Sequence, residues 1–369
     1  MDVIVVGGGI IGLSLAYELA TRGALVTLLE QGQWGGEASQ AAAGMLAPYK
    51  EFKEVGPLFE LGRKSLFLYP EWALQLENET GIDIQLKRGG ILTVAASEAE
   101  VAELHAKFVW QKNAGCNLEW LDGDVLHERE PLLSPKMQAG IFSTDEGDVN
   151  NLLLLKALHA ACLRRGVVMH EGNVVTGLIT TGNRVTGVKS TGGEFRANHT
   201  VLTAGAWAGI MAEWLGFVNQ VRPVRGQIAA VSSAGVPLRH VVFGPDGYLV
   251  PKRDGRIILG ATEDEAGYCR NVTAGGVNRV LHGVQTIIPA VADAVFLQAW
   301  AGLRPASPDG LPLLGPVPDW EGISMAAGHF RNGILLAPVT AKLMADWLVE
   351  GKGQPLTPFY PGRHRTLRI

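Results

Sequence analysis

The feature that most constrains the fold is a glycine-rich turn between an apolar run and a helical pattern near the start of the chain. Gly7, Gly9 and Gly12 lie in the run VIVVGGGIIG that begins at Val3, and Glu30 closes the next apolar run. A G-x-G-x-x-G framed by strand, helix, strand and terminal acid is typical of a βαβ unit that binds a dinucleotide. The helix N-terminus would hold the pyrophosphate, and Glu30 would accept hydrogen bonds from ribose hydroxyls and repel a 2′-phosphate.

The composition favours an ordered enzyme with two domains. The 369 residues exceed what one small core needs, and 47% hydrophobic and 18% charged residues are typical of a globular chain. The net charge of −4, with acids and bases mixed, does not indicate a nucleic-acid surface. We find no basic leader and no apolar run of membrane-spanning length. The three cysteines are widely spaced, which disfavours disulfides and zinc. We therefore predict a cytoplasmic enzyme without nucleic-acid or membrane partners.

Two sequence patterns alternate along the chain. Nucleotide-binding α/β segments are interrupted by segments of antiparallel hairpins, with turns at Asp246-Gly247 and Asp254-Gly255. Strands are predicted at 82–86 and 91–95, and a capping box predicts a helix that begins after Ser97. The fold class is therefore α/β with α+β character, with the active site between two discontinuous domains. The dinucleotide-binding domain comprises residues 1–80, 145–224 and 300–369, and an antiparallel-sheet substrate domain comprises residues 81–144 and 225–299.

Several motifs in one order resemble the D-amino-acid oxidase/glycine oxidase family of FAD enzymes. They are VIVVGGGIIGLSLAYELA, the acid at Glu30, SQAAAGML, VLTAGAWA and GLRPASPDGLPLLGP. The run AAGHFRNGILLAP is similar to the bacterial glycine oxidases of thiamine biosynthesis. The resemblance covers essentially the whole chain, and it implies that the dinucleotide is FAD.

The resemblance also implies which residues contact FAD. The loop around Gly44 would line the flavin ring, the backbone of Val174 would bracket the adenine, and the N–H groups from Gly333 would lie near the flavin N1–C2=O edge. A helix that begins there, with Pro338 in its first turns, would stabilise negative charge on reduced flavin. The implied FAD contacts are Gly7, Gly9, Ile10, Ile11, Gly12, Glu30, Gln31, Ala38, Ser39, Ala43, Gly44, Met45, Val174, Ala204, Gly205, His329, Arg331, Asn332, Gly333, Ile334 and Leu335.

Three residues are candidates for the catalytic site. Arg304 ends an apolar run and precedes Pro305, which predicts that it is held rigidly at a strand end. A guanidinium binds a carboxylate through two parallel hydrogen bonds. The resemblance implies that Arg304 grips the substrate carboxylate and that the Tyr248 hydroxyl meets the same group. Arg331 would lie beside substrate or flavin, with a salt-bridged surface role as the alternative. No catalytic base is expected at His329, because hydride transfer needs a neutral amine and a positioned flavin N5.

The implied reaction is oxidative deamination of glycine, other small amines or D-amino acids. Hydride transfer to flavin N5 would give an imine, then an α-keto acid and ammonia, while O2 becomes hydrogen peroxide. The imine of glycine would supply thiamine thiazole synthesis. The partners would be a small amino acid and O2, and the enzyme would be a homo-oligomer, with a tetramer as one candidate form.

Three other functions stay open at this point. A D-amino-acid dehydrogenase that reduces a quinone would need a docking surface, and no amphipathic basic helix is evident. A sarcosine oxidase-like enzyme would attach its flavin to a C-terminal cysteine, but no cysteine follows Cys269. A non-catalytic flavoprotein would not need a carboxylate clamp. Asp246 stands where the family leads us to expect histidine, and Glu263 where we expect methionine, so the substrate stays open.

The missing C-terminal cysteine predicts that FAD is bound without a covalent bond. The purified protein should be yellow and should release intact FAD into the supernatant when it is denatured with trichloroacetic acid. Chromatography of the supernatant checks this result. Flavin that stays in the pellet, or bound NAD in place of FAD, would contradict the prediction.

Overall fold

Two large β-sheets organise the chain, which the computed structural model describes over residues 1–52, 54–216, 221–351 and 357–364. Within those residues the strands are, in chain order, β1 (Asp2–Val6), β2 (Leu25–Leu29), β3 (Met45–Leu46), β4 (Ile91–Ala95), β5 (Leu118–Asp122), β6 (Ala139–Ser143), β7 (Gly147–Asp148), β8 (Val168–His170), β9 (Val175–Thr181), β10 (Arg184–Ser190), β11 (Gly193–Arg196), β12 (His199–Leu202), β13 (Arg222–Ser232), β14 (Val241–Gly244), β15 (Gly247–Pro251), β16 (Arg256–Gly260), β17 (Phe296–Ala306), β18 (Leu313–Pro316) and β19 (Ile323–Ala327).

The helices include the one that the sequence predicts after Ser97. The α-helices in the same residues are α1 (Ile10–Thr21), α2 (Ala38–Ala41), α3 (Pro48–Glu51), α4 (Pro57–Thr80), α5 (Glu98–Asn113), α6 (Gly123–Arg129), α7 (Asn151–Arg164), α8 (Ala208–Glu213), α9 (Ala274–Ile287) and α10 (Gly333–Glu350). The predicted capping box is confirmed, since the Glu100 N–H donates to Ser97 Oγ at 3.3 Å and the Glu100 carboxylate accepts the Ser97 N–H at 3.0 Å.

The first sheet has the order β18-β19-β12-β1-β2-β8 within the described residues. All of its neighbouring strands are parallel except β18 and β19. Helices α1, α4, α7 and α10 pack together on one face, and the small antiparallel sheet β9–β11 packs on the other. Val3, Ile4 and Val5 are each at most 1% exposed, because strands of a parallel sheet are covered on both faces.

The second sheet has the order β17-β13-β16-β15-β14-β4-β6-β5. Its pairs are antiparallel apart from β4 with β14. Helix α9 covers one face with Val280, Val284 and Ile287, while the other face carries Tyr248 and Phe243 toward the first sheet. The mixed α/β fold class that the sequence predicts is confirmed.

Two long strands cross the domain boundaries that the sequence predicts. Strand β13 contains the boundary between 224 and 225, and β17 contains the boundary between 299 and 300. The predicted segments also include residues 53, 217–220, 352–356 and 365–369, which lie outside the described residues. The division into two discontinuous domains stays a prediction.

Three local predictions differ from the structure. Residues 82–86 do not form a strand, because Gln85 has a φ of 57° and interrupts the extended backbone. The predicted turn at Asp246-Gly247 is shifted by one residue to Pro245 and Asp246. Gly247 is already the first residue of β15 and pairs with Gly244, the last residue of β14. Arg304 lies inside β17 rather than at its end, since β17 is an edge strand and an edge tolerates proline.

The contact between α1 and β1 depends on Gly12. A Cβ atom at this position would lie 1.8 Å from the Gly7 carbonyl oxygen and 2.7 Å from Thr203 Oγ1. Gly7 itself has a φ of 110°, which lets the chain turn directly from β1 into the helix. The Thr203 hydroxyl donates to the carbonyls of Val6 and Gly7 at 2.9 and 2.8 Å, so β12 closes the same junction. The glycines therefore fix where α1 begins.

Gly12→Ala should destabilise the protein, because backbone atoms that cannot rotate away occupy the space for its methyl group. We expect a loss of about 1–3 kcal/mol in the free energy of unfolding, as for other overpacked sites. Denaturant unfolding of the variant measures this change.

Gly275→Ala is a matched control, because a Cβ atom at Gly275 meets no atom within 4 Å and the residue lies in α9. This variant should keep or raise stability, by up to about 1 kcal/mol, since alanine loses less backbone entropy in a helix. Equal effects of the two variants would contradict the packing role of Gly12.

Candidate active site

A cleft of about 520 Å³ lies between the two sheets. Its size falls in the range that is typical of small-molecule and cofactor sites. The predicted catalytic residues Arg304, Tyr248 and Arg331 all line it. The predicted FAD contacts that line the same cleft are Gly9, Ile10, Ile11, Ala38, Ser39, Ala43, Gly44, Met45, Gly205, His329, Arg331, Asn332, Gly333 and Ile334.

The other predicted FAD contacts lie outside this cleft, namely Gly7, Gly12, Glu30, Gln31, Val174, Ala204 and Leu335. Glu30 accepts the N–H groups of Gly8 and Gly32, each at 2.7 Å. Burial raises the pKa of Glu30, against the effect of these hydrogen bonds. The Asn173 N–H donates to the Glu30 carbonyl at 2.7 Å, which places the exposed Val174 beside it. The ribose and adenine roles of these residues stay predictions.

The N-terminus of α1 offers a site for anionic groups at one end of the cleft. Gly9, which has no side chain, is the N-cap. The Ile10 N–H donates to Ser39 Oγ at 2.9 Å, and the Asn151 side-chain amide holds the Ser39 carbonyl at 2.9 Å. Free N–H groups and the helix dipole favour phosphate at such a position. This end of the cleft therefore fits a pyrophosphate.

The loop of small residues before β3 presents backbone to the cleft. Gly44 has a φ of 79°, and a Cβ atom there would lie 2.2 Å from the Val149 carbonyl oxygen. The Val149 N–H donates to the Gly44 carbonyl at 2.8 Å. Lys252 Nζ donates to the Val149 carbonyl at 2.9 Å and to Asp148 Oδ2 at 2.6 Å, and both of these side chains are 5% exposed. A buried ion pair thus supports the loop from behind, and the open side of the loop fits a flat ring.

Helix α10 begins at the same cleft with Gly333 and Ile334. Its N-cap Asn332 makes no capping hydrogen bond through its side chain. Pro338 has no N–H to donate to the Ile334 carbonyl, and the Tyr69 hydroxyl donates to that oxygen instead. The helix therefore tolerates proline in its second turn, and its N-terminus fits a group that gains negative charge.

His329 lines the cleft just before this helix begins. Its ring nitrogen Nε2 lies 3.1 Å from Thr340 Oγ1, and the residue is 3% exposed. Burial lowers the pKa of His329 to about 3, so the imidazole is neutral at physiological pH. The ring contacts Thr340 of α10, and the expectation that His329 is not a catalytic base stays a prediction.

The side chains of Arg304 and Tyr248 each lie over a glycine of the neighbouring strand, Gly226 and Gly260 respectively. A Cβ atom at Gly226 would come within 2.3–2.4 Å of the Arg304 guanidinium, and one at Gly260 would lie 2.3 Å from the Tyr248 hydroxyl oxygen. Arg304 donates to the Thr262 carbonyl at 3.0 Å, and no carboxylate of the described chain lies within 4 Å of it. Burial raises the pKa of Tyr248, against the opposing charges of Arg304 and Arg331. The two side chains therefore share one charged environment, with the guanidinium available for a ligand carboxylate.

Arg331 is already paired with two carboxylates. Its Nε lies 3.1 Å from Glu51 Oε2, and its Nη1 lies 2.9 Å from Glu263 Oε1. The predicted alternative of a salt-bridged arginine thus describes these contacts. Glu263 and the exposed Asp246 both line the cleft, so both departures from the expected pattern lie on its wall.

Several residues of the cleft are not among those predicted from the sequence. Lys50 and Glu51 directly follow the loop of small residues, and a charged pair at that place was the available signal. Phe243 faces Tyr248 across the hairpin, with ring centroids 5.5 Å apart. Gly226 had no signal in the sequence, because its contact with Arg304 depends on the register of β13 with β17.

Other kinds of site are not found in the described residues. The three cysteines are free, and Cys269 is exposed while Cys116 and Cys162 are buried. No group of three or more His, Cys, Asp or Glu side chains there could hold a metal ion. No helix in those ranges is long and apolar enough to span a bilayer.

A family model, related sequences and solved structures all relate this chain to the same group of FAD enzymes. The family model described as DAO, FAD dependent oxidoreductase, matches residues 2–347. A glycine oxidase of Geobacillus kaustophilus is 37% identical over 367 residues, which is 98% of this chain and 97% of that protein. The crystal structure of glycine oxidase from Geobacillus kaustophilus superposes with a TM-score of 0.95 at 36% identity, over 99% of each chain. A bifunctional protein ThiO/ThiG of Trichormus variabilis is 37% identical over 96% of this chain and 54% of that protein.

Proposed function

The chain belongs to the DAO family of FAD dependent oxidoreductases, and on that premise we propose that it oxidises glycine and other small amines with O2. The products would be an imine, then an α-keto acid and ammonia, together with hydrogen peroxide. The observation that carries the proposal is the Arg304 guanidinium. It lies in the cleft without a carboxylate partner among the described residues, beside the Tyr248 hydroxyl.

The residues of the cleft fit FAD without a covalent bond. The pyrophosphate would lie at the N-terminus of α1, where the N-cap Gly9 places no side chain between the backbone and a ligand. The flavin ring would lie along the loop at Gly44, with its N1–C2=O edge toward Gly333 at the start of α10. When bound there, FAD supplies the acceptor for the substrate hydride at N5 and returns the electrons to O2.

The protein side chains bind and orient the substrate. Arg304 would hold the carboxylate through two hydrogen bonds, which fixes the plane of that group as well as its charge. The Tyr248 hydroxyl would donate to the same carboxylate, since the Arg304 and Arg331 cations lie close to it. The neutral His329 is occupied with Thr340. The amine would therefore enter in its neutral form, with its proton lost to solvent.

One experiment distinguishes the proposed oxidase from a quinone-reducing dehydrogenase, a sarcosine oxidase-like enzyme and a non-catalytic flavoprotein. The FAD-loaded protein is assayed with glycine, sarcosine and D-alanine, with peroxide detection and a parallel assay with a quinone analogue. We expect peroxide production with at least one of these amines. Turnover only with the quinone would identify a dehydrogenase, and no turnover with any acceptor would favour a non-catalytic flavoprotein.

Three finer features of the proposed function rest on the resemblance. Delivery of glycine imine to thiamine thiazole synthesis is supported by the relative named ThiO/ThiG, of which this chain spans about half. A homo-oligomer, with a tetramer as one candidate form, and a cytoplasmic location stay predictions.

Arg304→Ala should lower kcat/KM for the amine substrate while FAD remains bound. The loss of one partner from a buried charge pair costs about 2–5 kcal/mol, which corresponds to roughly 30- to 4000-fold. Arg304→Lys should recover only part of the activity, because an ammonium group lacks the planar fork. Steady-state kinetics with the flavin spectrum as a check of FAD content measures both effects.

Arg184→Ala is the matched control, since Arg184 is exposed and pairs with Glu321 at 3.1 Å away from the cleft. Its kcat/KM should equal that of the wild type. Near-normal turnover by Arg304→Ala would remove Arg304 from the mechanism and would make Arg331 the candidate carboxylate anchor.

A further inference from the structure

A second cation lines the cleft at Lys50. Its ammonium nitrogen lies 5.6 Å from the centroid of the Phe243 ring, and Phe243 packs against Tyr248. Among the described residues no carboxylate oxygen comes within 4 Å of Lys50 Nζ. Lys50 therefore differs from Arg331, whose charge is neutralised by Glu51 and Glu263.

The backbone that carries Lys50 is fixed on both sides. The N–H groups of Tyr49 and Lys50 donate to Glu146 Oε1 at 2.6 and 3.3 Å. Lys107 Nζ donates to the Lys50 carbonyl at 2.6 Å. The side chain thus extends into the cleft from a rigid turn, and its place is not set by a flexible loop.

A cation in this position lacks much of its water. Burial lowers the pKa of Lys50, against the attraction of Glu51. The aromatic face of Phe243 replaces only part of the lost hydration, because a cation–π contact is weaker than contact with an anion. An acidic group of a ligand in the cleft would complete the environment of the ammonium.

We propose that Lys50 forms a second anion subsite, so that the enzyme binds small amines with two acidic groups, one on Arg304 and the other on Lys50. This inference rests on the proposed function, since Arg304 is the anchor for the first carboxylate. Both cations line the same cleft, and the row Lys50, Phe243 and Tyr248 connects the subsite to the carboxylate anchor. The substrate class is therefore the small amino dicarboxylates as well as glycine.

The test compares the affinities of a dianion and a monoanion of similar shape. Neither ligand contains an amine, so neither can be oxidised as one. Oxydiacetate and methoxyacetate are titrated into the FAD-loaded protein, and the change in the visible flavin spectrum gives each dissociation constant. The wild type should bind oxydiacetate more tightly. In Lys50→Met the ratio of the two affinities should fall about tenfold or more, since one charge contact of the dianion is lost.

Two variants make the result specific to the charge at this position. Lys50→Arg keeps a cation over Phe243 and should preserve the affinity ratio. Lys64→Met removes an exposed lysine of α4 that does not line the cleft, and it should leave the ratio as in the wild type. An unchanged ratio in Lys50→Met, or equal affinities of the wild type for the two ligands, would overturn the proposal.

A kinetic comparison separates this proposal from the proposed function. The value of kcat/KM is measured for iminodiacetate against sarcosine and for D-aspartate against D-alanine. A lower ratio for either pair in Lys50→Met supports the subsite. If no amine is oxidised but the oxydiacetate ratio still falls, the proposed function fails and the subsite stands. If amines are oxidised and no ratio changes, only the subsite fails.

Discussion

The close contact of Gly12 with the Gly7 carbonyl determines where the cofactor half of the site can lie. Because no side chain separates α1 from β1, the first turn of the helix begins directly at the carboxyl edge of the first sheet. Thr203 closes the junction from β12, so two neighbouring strands end at one point. The N–H groups of α1 therefore face the place where the loop at Gly44 and the start of α10 meet. This close contact therefore fixes one wall of the cleft.

The charges of the cleft are arranged in two different ways. Arg331 is surrounded by its own carboxylates and needs no ligand, whereas Arg304 and Lys50 contact a carbonyl and an aromatic ring respectively. A partly buried cation that lacks a carboxylate partner is costly, and a bound anion would offset that cost. Under the proposed function, substrate binding would therefore also relieve this unfavourable burial.

The sequence predicts the structural elements that depend on residues close together along the chain. The glycines of the first turn, the capping box at Ser97 and the alternation of sheet types follow from local spacing, so they could be predicted. The pairing of Arg331 with Glu51 and Glu263 joins three distant segments, so the sequence could suggest a salt-bridged Arg331 but could not identify its partners. The strand predicted at residues 82–86 is wrong for a local reason. Gln85 has a positive φ, which interrupts an alternating run whose pattern is otherwise typical of a strand.

Strand β17 also connects Arg304 with the start of α10. Arg304 lies two residues before Ala306, which forms an antiparallel bridge with His329, and α10 begins four residues later at Gly333. The span from Arg304 to the start of α10 is therefore set by one short stretch of hydrogen-bonded backbone. Lys50 and Asp246 line the same cleft from segments outside this stretch. Substitutions at these two positions can therefore alter the cleft without changing the hydrogen-bonded backbone that sets this span.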